Sequence, residues 1–149
     1  MKLEDEIKQS KFRNEYHKLG VNIVYTANWL SLHHSKQCKE YDITPEQFNI
    51  LRILRGQHPK PATVNLMIER MLNKMSNVSR LVEKLRKKGL VERQISKEDR
   101  RACDVLITKK GLDLLQELDK AEKEWHKRIS HLSEAEAEKL NALLDKLRK

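Results

Sequence analysis

The sequence predicts a single, mainly α-helical domain with one small β-hairpin, or wing. Three observations predict this fold class. The 149 residues suit one domain with a core of its own. Four glycines and three prolines are few, as in helix-rich proteins. Apolar residues recur at spacings of three and four along most of the chain, and only two short segments are strand candidates.

The amino-terminal part is predicted to contain two helices. Tyr16, Leu19 and Ile23 belong to an apolar set at helical spacing, which predicts one long helix over residues 4–39. A second helix is predicted within residues 41–54, because a threonine cap is followed by a proline in the first turn.

Two shorter helices are predicted to follow. Prolines within residues 58–63 end the preceding helix and force an extended link. One short helix is expected over Val64–Met71. The next is expected over Lys74–Lys88, with Asn73 as its cap and Gly89 just past its end.

The carboxy-terminal part is predicted to contain a hairpin and two helices. The strand candidates, 90–95 and 102–108, flank a polar loop. A threonine at the end of the second strand can cap a helix over 109–131. Ser133 and Glu136 then have the spacing of a capping box, which predicts the start of a last helix.

The positive charge of the chain is concentrated in its middle. The net charge is +9, but residues 52–110 hold 16 of the 31 Lys and Arg and only 6 of the 22 Asp and Glu, a net of +10. The remaining residues carry a net of −1. Because clustered cations attract phosphate, this distribution favours a polyanionic partner over an ordinary solvated surface.

The helix predicted over 74–88 has an apolar face and a cationic face. Its apolar residues recur at i, i+3, i+4 and i+7 from Val78. Asn77, Arg80 and Lys84 fall on the opposite side. A helix that enters the major groove needs this arrangement, in which Arg80 can pair with guanine and Asn77 with adenine. An ordinary amphipathic surface helix is the alternative.

The order of the elements favours the first of these interpretations. A short helix, a break, a second helix, a glycine and a hairpin with a basic tip follow one another in a winged helix-turn-helix. We therefore expect residues 41–108 to form such a lobe within a single domain, 1–149. Residues 1–40 and 109–149 are expected to form flanking helices. The tip of the wing would reach the adjacent minor groove of DNA.

The segment GLVERQISKEDRRACDVLITKKG, residues 89–111, resembles the wing of the MarR-type (multiple antibiotic resistance regulator) repressors. Their pattern begins Gly-Leu-Val-Glu-Arg, has Asp-Arg-Arg at the end of the loop, and continues with Val-x-Leu-Thr and a later glycine. The residues that match in place are Gly89, Leu90, Val91, Glu92, Arg93, Asp99, Arg100, Arg101, Val105, Thr108 and Gly111, with Ile107 in place of the leucine. SRLVEKLRKKG, residues 79–89, also matches the end of the recognition helix. The sequence departs from the family at Leu72-Asn73, where the turn usually contains glycine.

The resemblance implies a homodimer that binds double-stranded DNA through two winged lobes, held together by dimerisation helices at both ends of the chain. It also implies that Asp99 orients a neighbouring arginine. Either Arg101 or Arg100 would then enter the minor groove, and the other would contact phosphate. The predicted DNA-binding residues are Lys74, Ser76, Asn77, Ser79, Arg80, Lys84, Arg93, Asp99, Arg100 and Arg101.

The composition of the flanking helices also favours a dimer. They hold more apolar residues than the lobe can cover, and their near-neutral charge suits contact with protein instead of DNA. An intramolecular three-helix bundle is the alternative.

The predicted function is that of a transcriptional regulator, a homodimeric repressor acting on a pseudo-palindromic operator and responding to a small-molecule effector of unspecified identity. The alternative is a winged-helix adaptor whose basic face binds an acidic protein. No Gly-rich phosphate loop or activated nucleophile points to an enzyme, and no cofactor is expected.

The cysteines and histidines do not form an evident site. His34 and Cys38 can supply two ligands from one helix, but solvated histidines are commoner and no metal is expected. Cys38 and Cys103 are expected to be inert thiols instead of redox switches. The chain has no apolar run of membrane-spanning length and no secretory signal at its start, which predicts a cytoplasmic protein without a membrane partner.

Overall fold

The computed structural model describes residues 2–95 and 103–149. Its elements are α1 (Leu3–Ile7), α2 (Glu15–Glu40), α3 (Pro45–Gln57), β1 (Ala62–Thr63), α4 (Val64–Arg70), α5 (Val78–Lys87), β2 (Val91–Ile95), β3 (Cys103–Ile107), α6 (Lys109–Ile129) and α7 (Glu134–Leu147). The prediction of a mainly helical chain with a small wing is confirmed. The tip of the wing, with Asp99, Arg100 and Arg101, lies outside the described residues.

The centre of the molecule is a lobe in which three helices pack on a small antiparallel sheet. The strand order is β1-β3-β2, and Val105 of β3 lies opposite Ala62 on one side and Arg93 on the other. Helix α3 packs against α4, α5 and β3. The lobe buries Ile43, Phe48, Ile50, Leu51, Ile53, Leu54, Ala62, Met67, Met71, Val78, Val82, Leu85, Leu90, Val91, Val105 and Ile107.

Both ends of the hairpin are tied to its neighbouring helices. Gly89 follows α5 with φ of +72°, a left-handed conformation that favours glycine. The hydroxyl of Thr108 donates to the carbonyl of Gly89 (2.7 Å) and accepts from the amide of Gly111 (3.1 Å). A Cβ at Gly111 would lie 2.4 Å from the carbonyl oxygen of Leu90, so this close approach requires glycine. The wing is thus fixed at the point where α6 begins.

The predicted helix caps of α3 and α7 are confirmed. Thr44 and Gln47 form a reciprocal capping box at the start of α3, with Pro45 in the first turn. Ser133 and Glu136 form the same arrangement at the start of α7. These pairs satisfy backbone amides that have no partner inside the helix, which is why both helices begin at the expected residues.

Two predicted helix boundaries are wrong, and the predicted extended link contains a short strand. The helix expected over 4–39 is two helices, because Lys8 is left-handed (φ 56°) and Asn14 caps a new helix by accepting from the amide of His17. The extended link at 58–63 includes β1, which pairs with β3. The helix expected from Lys74 begins at Val78.

The flanking helices share little of the core. Helix α2 contributes Cys38 to it, α6 contributes Leu115 and Leu118, and α7 has no buried residue. The guanidinium of Arg55 on α3 forms a bidentate ion pair with Asp119 on α6, with N–O distances of 2.7 and 3.2 Å. No helix within the described ranges is both long and apolar enough to span a bilayer.

Candidate nucleic-acid interface

Helix α5 has one buried side and one exposed side. Val78, Val82 and Leu85 are buried in the lobe, where they pack with the core. Ser79 and Arg80 near the start of the helix, and Lys84 one turn later, are exposed. The predicted division into an apolar and a polar face therefore holds from Val78 onward.

The start of α5 is set by Asn77, not by Asn73. The side-chain oxygen of Asn77 accepts from the amide of Arg80 at 3.0 Å, which makes Asn77 the helix cap. The side chain of Asn73 instead accepts from the amide of Met75 within the preceding turn. Asn77 therefore lies at the end of the helix, where it is exposed three residues before Arg80.

The residues just before α5 lie in a structured turn. The ammonium of Lys74 donates to the carbonyl of Glu69 at 2.5 Å, so this cation is held beside the end of α4. The hydroxyl of Ser76 is buried, and it has no hydrogen-bond partner among the described residues. Of the turn residues predicted to bind DNA, Lys74 is exposed and Ser76 is partly buried.

The surface around the start of α5 is positively charged. Residues 70–82 contain Arg70, Lys74 and Arg80 and no acidic residue. The amino-terminal end of the helix adds the partial positive charge of its unpaired amides. An anion that approaches this end therefore meets side-chain and backbone donors together.

The first acidic residue of α5, Glu83, is paired with arginines. Arg86 donates two hydrogen bonds to its carboxylate, at 3.0 and 2.9 Å. These bonds are the main reason that the pKa of Glu83 is lowered from its ordinary value. Arg93 of β2 lies 3.7 Å from the same carboxylate. Glu83 therefore stays ionised and links α5 to the base of the wing.

Arg93 has a structural setting that its sequence position did not reveal. Besides its contact with Glu83, its Nε lies 3.1 Å from the sulfur of Cys103 on the paired strand. Its side chain is 41% exposed. This predicted DNA-binding residue thus connects α5, β2 and β3, while one part of it remains open to solvent.

The structure brings most of the predicted site together. Lys74, Ser76, Asn77, Ser79, Arg80 and Lys84 follow one another through the turn and along the exposed side of α5, and Arg93 lies at the base of the wing. Sequence reasoning missed the role of Glu83 and the exposed apolar residues Leu72 and Met75 in the turn. The exposure of Leu72 and Met75 could have been predicted from the sequence, because neither residue belongs to the apolar face of α5 that starts at Val78.

The described residues contain no metal-binding cluster, and the thiol of Cys38 is buried. No group of three or more His, Cys, Asp or Glu in residues 2–95 and 103–149 is placed to hold a metal ion. Cys38 is buried, and burial is the main cause that raises the pKa of its thiol to about 11. The reactive thiolate is therefore disfavoured at neutral pH.

Comparison with known proteins agrees with this geometry. A model of the MarR family matches residues 41–102, a range that includes α3, β1, α4, α5 and β2 of the lobe. The HTH-type transcriptional regulator MhqR of Bacillus subtilis (strain 168) is 30% identical over 117 residues, which cover 77% of this chain and 79% of that protein. The chain belongs to the MarR family. Like its relatives in this family, it is a transcriptional regulator.

Solved MarR-family structures have the same fold. A mutant of MarR from E. coli, crystallised with operator DNA, has a TM-score of 0.79 at 23% identity and covers 93% of this chain and 99% of its own. The organohalide-sensing regulator RdhR, in a form with bound 2,4-dichlorophenol, also has a TM-score of 0.79, at 19% identity, and covers 94% of this chain and 85% of its own. The winged helix-turn-helix architecture of the chain is thereby shown.

Proposed function

We propose that this MarR-family regulator binds a pseudo-palindromic operator as a homodimer and represses transcription until a small molecule binds. The observation that carries the proposal is the surface at the start of α5. There Ser79, Arg80 and Lys84 are exposed, and residues 70–82 contain cations and no acidic residue. In this role the chain needs no cofactor, carries out no catalysis, and acts in the cytoplasm, where it meets DNA.

The proposed contacts divide into base readout and phosphate binding. Arg80, in the first turn of α5, can donate two hydrogen bonds to guanine in the major groove. Ser79 and Asn77 are small enough to lie beside it, and the amide nitrogen of Asn77 can donate to a base edge. Lys84 lies one turn further along, where its ammonium can bind phosphate.

The remaining predicted residues support this contact from its two sides. Lys74 and Ser76 are proposed to contact the DNA backbone beside the turn. Arg93 is proposed to hold the wing against α5 and to touch the backbone with its exposed part. At the wing tip, either Arg101 or Arg100 would enter the adjacent minor groove and the other would contact phosphate, with Asp99 orienting the neighbouring arginine.

The dimer is proposed to form through residues 1–40 and 109–149. Large apolar side chains are exposed on or next to the helices of these two segments in the single chain. They are Tyr16, Leu19, Val24, Trp29, Leu32, Leu132, Leu140, Leu143 and Leu147. A second copy of the chain presents the same faces, so a two-fold axis can bury both sets at once.

The effector is proposed to bind in a cleft of about 640 Å³ between α2, α3 and the turn that precedes α5. Phe48 and Ile53 give the cleft apolar walls, and His34 and Asn49 give it polar ones. The side chain of Asn49 accepts from the amide of Leu72 at 2.9 Å, and this bond holds the start of the turn. A ligand that displaces Asn49 would therefore shift the recognition helix. The dichlorophenol complex of the structural relative RdhR supports a response of this kind.

Titration of DNA in rising salt tests the proposal. A duplex selected by the protein from a random pool is compared with a scrambled duplex of equal length. We expect the selected duplex to bind at least 10³-fold more tightly, as is typical of specific regulators. We also expect the affinity for both duplexes to fall steeply with salt, because cations on phosphates are released on binding.

Two variants and a control separate the proposed contacts. Arg80→Ala should lower the affinity for the selected duplex about tenfold or more and relax the sequence preference at one base pair. Lys84→Ala should weaken binding to all duplexes alike and reduce the salt slope by about one. Lys146→Ala, on α7, should change neither. Equal affinity for selected and scrambled duplexes would contradict the proposal and favour an adaptor that binds an acidic protein.

A further inference from the structure

The turn between α4 and α5 exposes two large apolar side chains on a cationic surface. Leu72 is 87% exposed and Met75 is 91% exposed, more than any other large hydrophobic residue that the structure describes. Neither supports the core. Their positions near Lys74 and Arg80 place them beside the proposed DNA contact and not on the apolar faces of the flanking helices.

The turn is held by hydrogen bonds, so the exposure belongs to a fixed backbone. The amide of Leu72 donates to the side chain of Asn49 at 2.9 Å. The amide of Met75 donates to the side chain of Asn73 at 3.0 Å, and the amide of Ser76 donates to the carbonyl of Asn73 at 3.2 Å. Met75 is therefore presented to solvent two residues before the cap of α5.

The two apolar residues differ in their surroundings. Leu72 lines the cleft between α2 and α3, together with Phe48 and Ile53. Met75 is open to solvent and lies two residues before Asn77, the cap of the helix end that we propose enters the major groove. Its unbranched thioether side chain can adapt to the surface that it meets.

The charge around Met75 identifies its partner. Residues 70–82 carry three cations and no acidic residue, which suits a polyanion whose surface also offers an apolar group. In the major groove, the C5 methyl of thymine is the apolar group that base edges present. An exposed apolar residue five positions before the readout arginine, at the same end of α5, is therefore placed to read it.

We propose that Met75 is a specificity-determining residue that packs on a thymine methyl in each operator half-site. The contact rests on the proposed DNA-binding function and adds a base-specific element to it. Arg80 reads a hydrogen-bonding edge, and Met75 reads the methyl group of a base near it. The chain then distinguishes thymine from cytosine at a position where it makes no hydrogen bond.

Replacement of thymine by deoxyuridine tests this contact, because it removes only the methyl group. Each thymine of the selected duplex is replaced in turn on both strands, and the affinity of the parent protein is measured. We expect one position in each half-site at which the replacement weakens binding about three- to fivefold, the effect of exposing roughly one buried methyl group.

Variants at Met75 assign the effect to this side chain. Met75→Ala should bind the thymine and deoxyuridine duplexes equally, whereas Met75→Leu should keep the difference. Leu72→Ala is the matched control, since it removes an equally exposed apolar side chain from the same turn and should leave the difference intact. Thermal unfolding of each variant checks that the lobe is unchanged.

The outcomes separate the contact from the function on which it rests. If the selected duplex is preferred over the scrambled one but no thymine is sensitive to the replacement, the Met75 contact is overturned and the proposed function stands. The contact is also overturned if Met75→Ala keeps the sensitivity or if Leu72→Ala abolishes it. If the parent protein does not prefer the selected duplex, the function and the contact fall together.

Discussion

The winged lobe and the flanking helices place their apolar residues in opposite environments. Of the 19 residues in the buried core, 16 lie between Ile43 and Ile107. Of the 13 large apolar side chains that are exposed in the described ranges, nine lie on or next to the flanking helices. The lobe thus buries its apolar core within one chain, whereas the flanking helices have apolar faces that the single chain does not cover.

This difference separates two sources of stability. Apolar area that is removed from water within the lobe stabilises it at any protein concentration. The apolar area that stays exposed on α2 and α7 can be removed from water only when a second surface covers it, so its contribution depends on protein concentration. We infer that the lobe carries recognition and that the flanking helices carry assembly.

The largest effect is expected from opening the core of the lobe. Leu51 on α3 is fully buried, and Leu51→Ala should lower the free energy of unfolding by about 2–5 kcal/mol. Chemical denaturation at several protein concentrations measures this loss. Leu143→Ala, at a residue that is 54% exposed, is the control and should leave the lobe unchanged. Equal losses in the free energy of unfolding for the two variants would contradict the proposed difference between the lobe and the flanking helices.

A smaller loss is expected where the lobe meets α6. A side chain at Gly111 would bring its Cβ within 2.4 Å of the carbonyl oxygen of Leu90 and 2.7 Å of Ile107. The backbone must shift to relieve this overlap, and Gly111→Ala should therefore cost about 1–3 kcal/mol of stability. Gly20→Ala has open space around it and serves as the control in the same thermal unfolding series. If Gly20→Ala destabilises the protein and Gly111→Ala does not, the close approach of Gly111 to Leu90 does not limit the side chain at this position.

The assembly role of the flanking helices predicts a concentration-dependent effect. Leu143→Glu places a charge on the exposed apolar face of α7, and in a dimer this charge would be buried without a partner. The dimer dissociation constant, measured by sedimentation, should rise at least tenfold, which is about 1.4 kcal/mol. Denaturation of the lobe should change little. A variant that dimerises as tightly as the parent would show that α7 does not form the interface.

The smallest effect concerns the cap of α7. Hydrogen bonds from the backbone and hydroxyl of Ser133 lower the pKa of Glu136 below its ordinary value of 4.5. A carboxylate with a lowered pKa stabilises the helix above the unfolded pKa, and this contribution is lost as the pH falls through the folded value. The difference in Tm between the parent and Glu136→Gln should therefore be constant near neutral pH and shrink below about pH 4.5. Glu138→Gln controls for charge, and a difference that grows on acidification would contradict the assignment.

The sequence predicted which helices form the lobe better than it predicted the residues at which they begin. The face that starts at Val78 and the caps at Thr44 and Ser133 depend on neighbours three or four residues away, and these signals are local. The start of α5 was misplaced because Asn73 and Asn77 are both suitable caps. Only the folded turn shows that Asn73 bonds to Met75 and that Asn77 bonds to Arg80.

Long-range contacts could not be predicted in the same way. The pairing of β1 with β3 depends on Ala62 meeting Val105, 43 positions away in sequence. The setting of Arg93 depends on Glu83 and Cys103, which belong to other elements. Local pattern predicts which residues are polar and exposed, but it does not predict which of them pair with each other.

Native mass spectrometry on the selected duplex tests the division between recognition and assembly most directly. We predict a complex of one duplex with two 17.6 kDa chains, formed without an intermediate that contains one chain. Scrambling one half-site should abolish most of this complex, and Leu143→Glu should convert it to weakly bound single chains. A stable complex with one chain per duplex, unaffected by Leu143→Glu, would contradict the account.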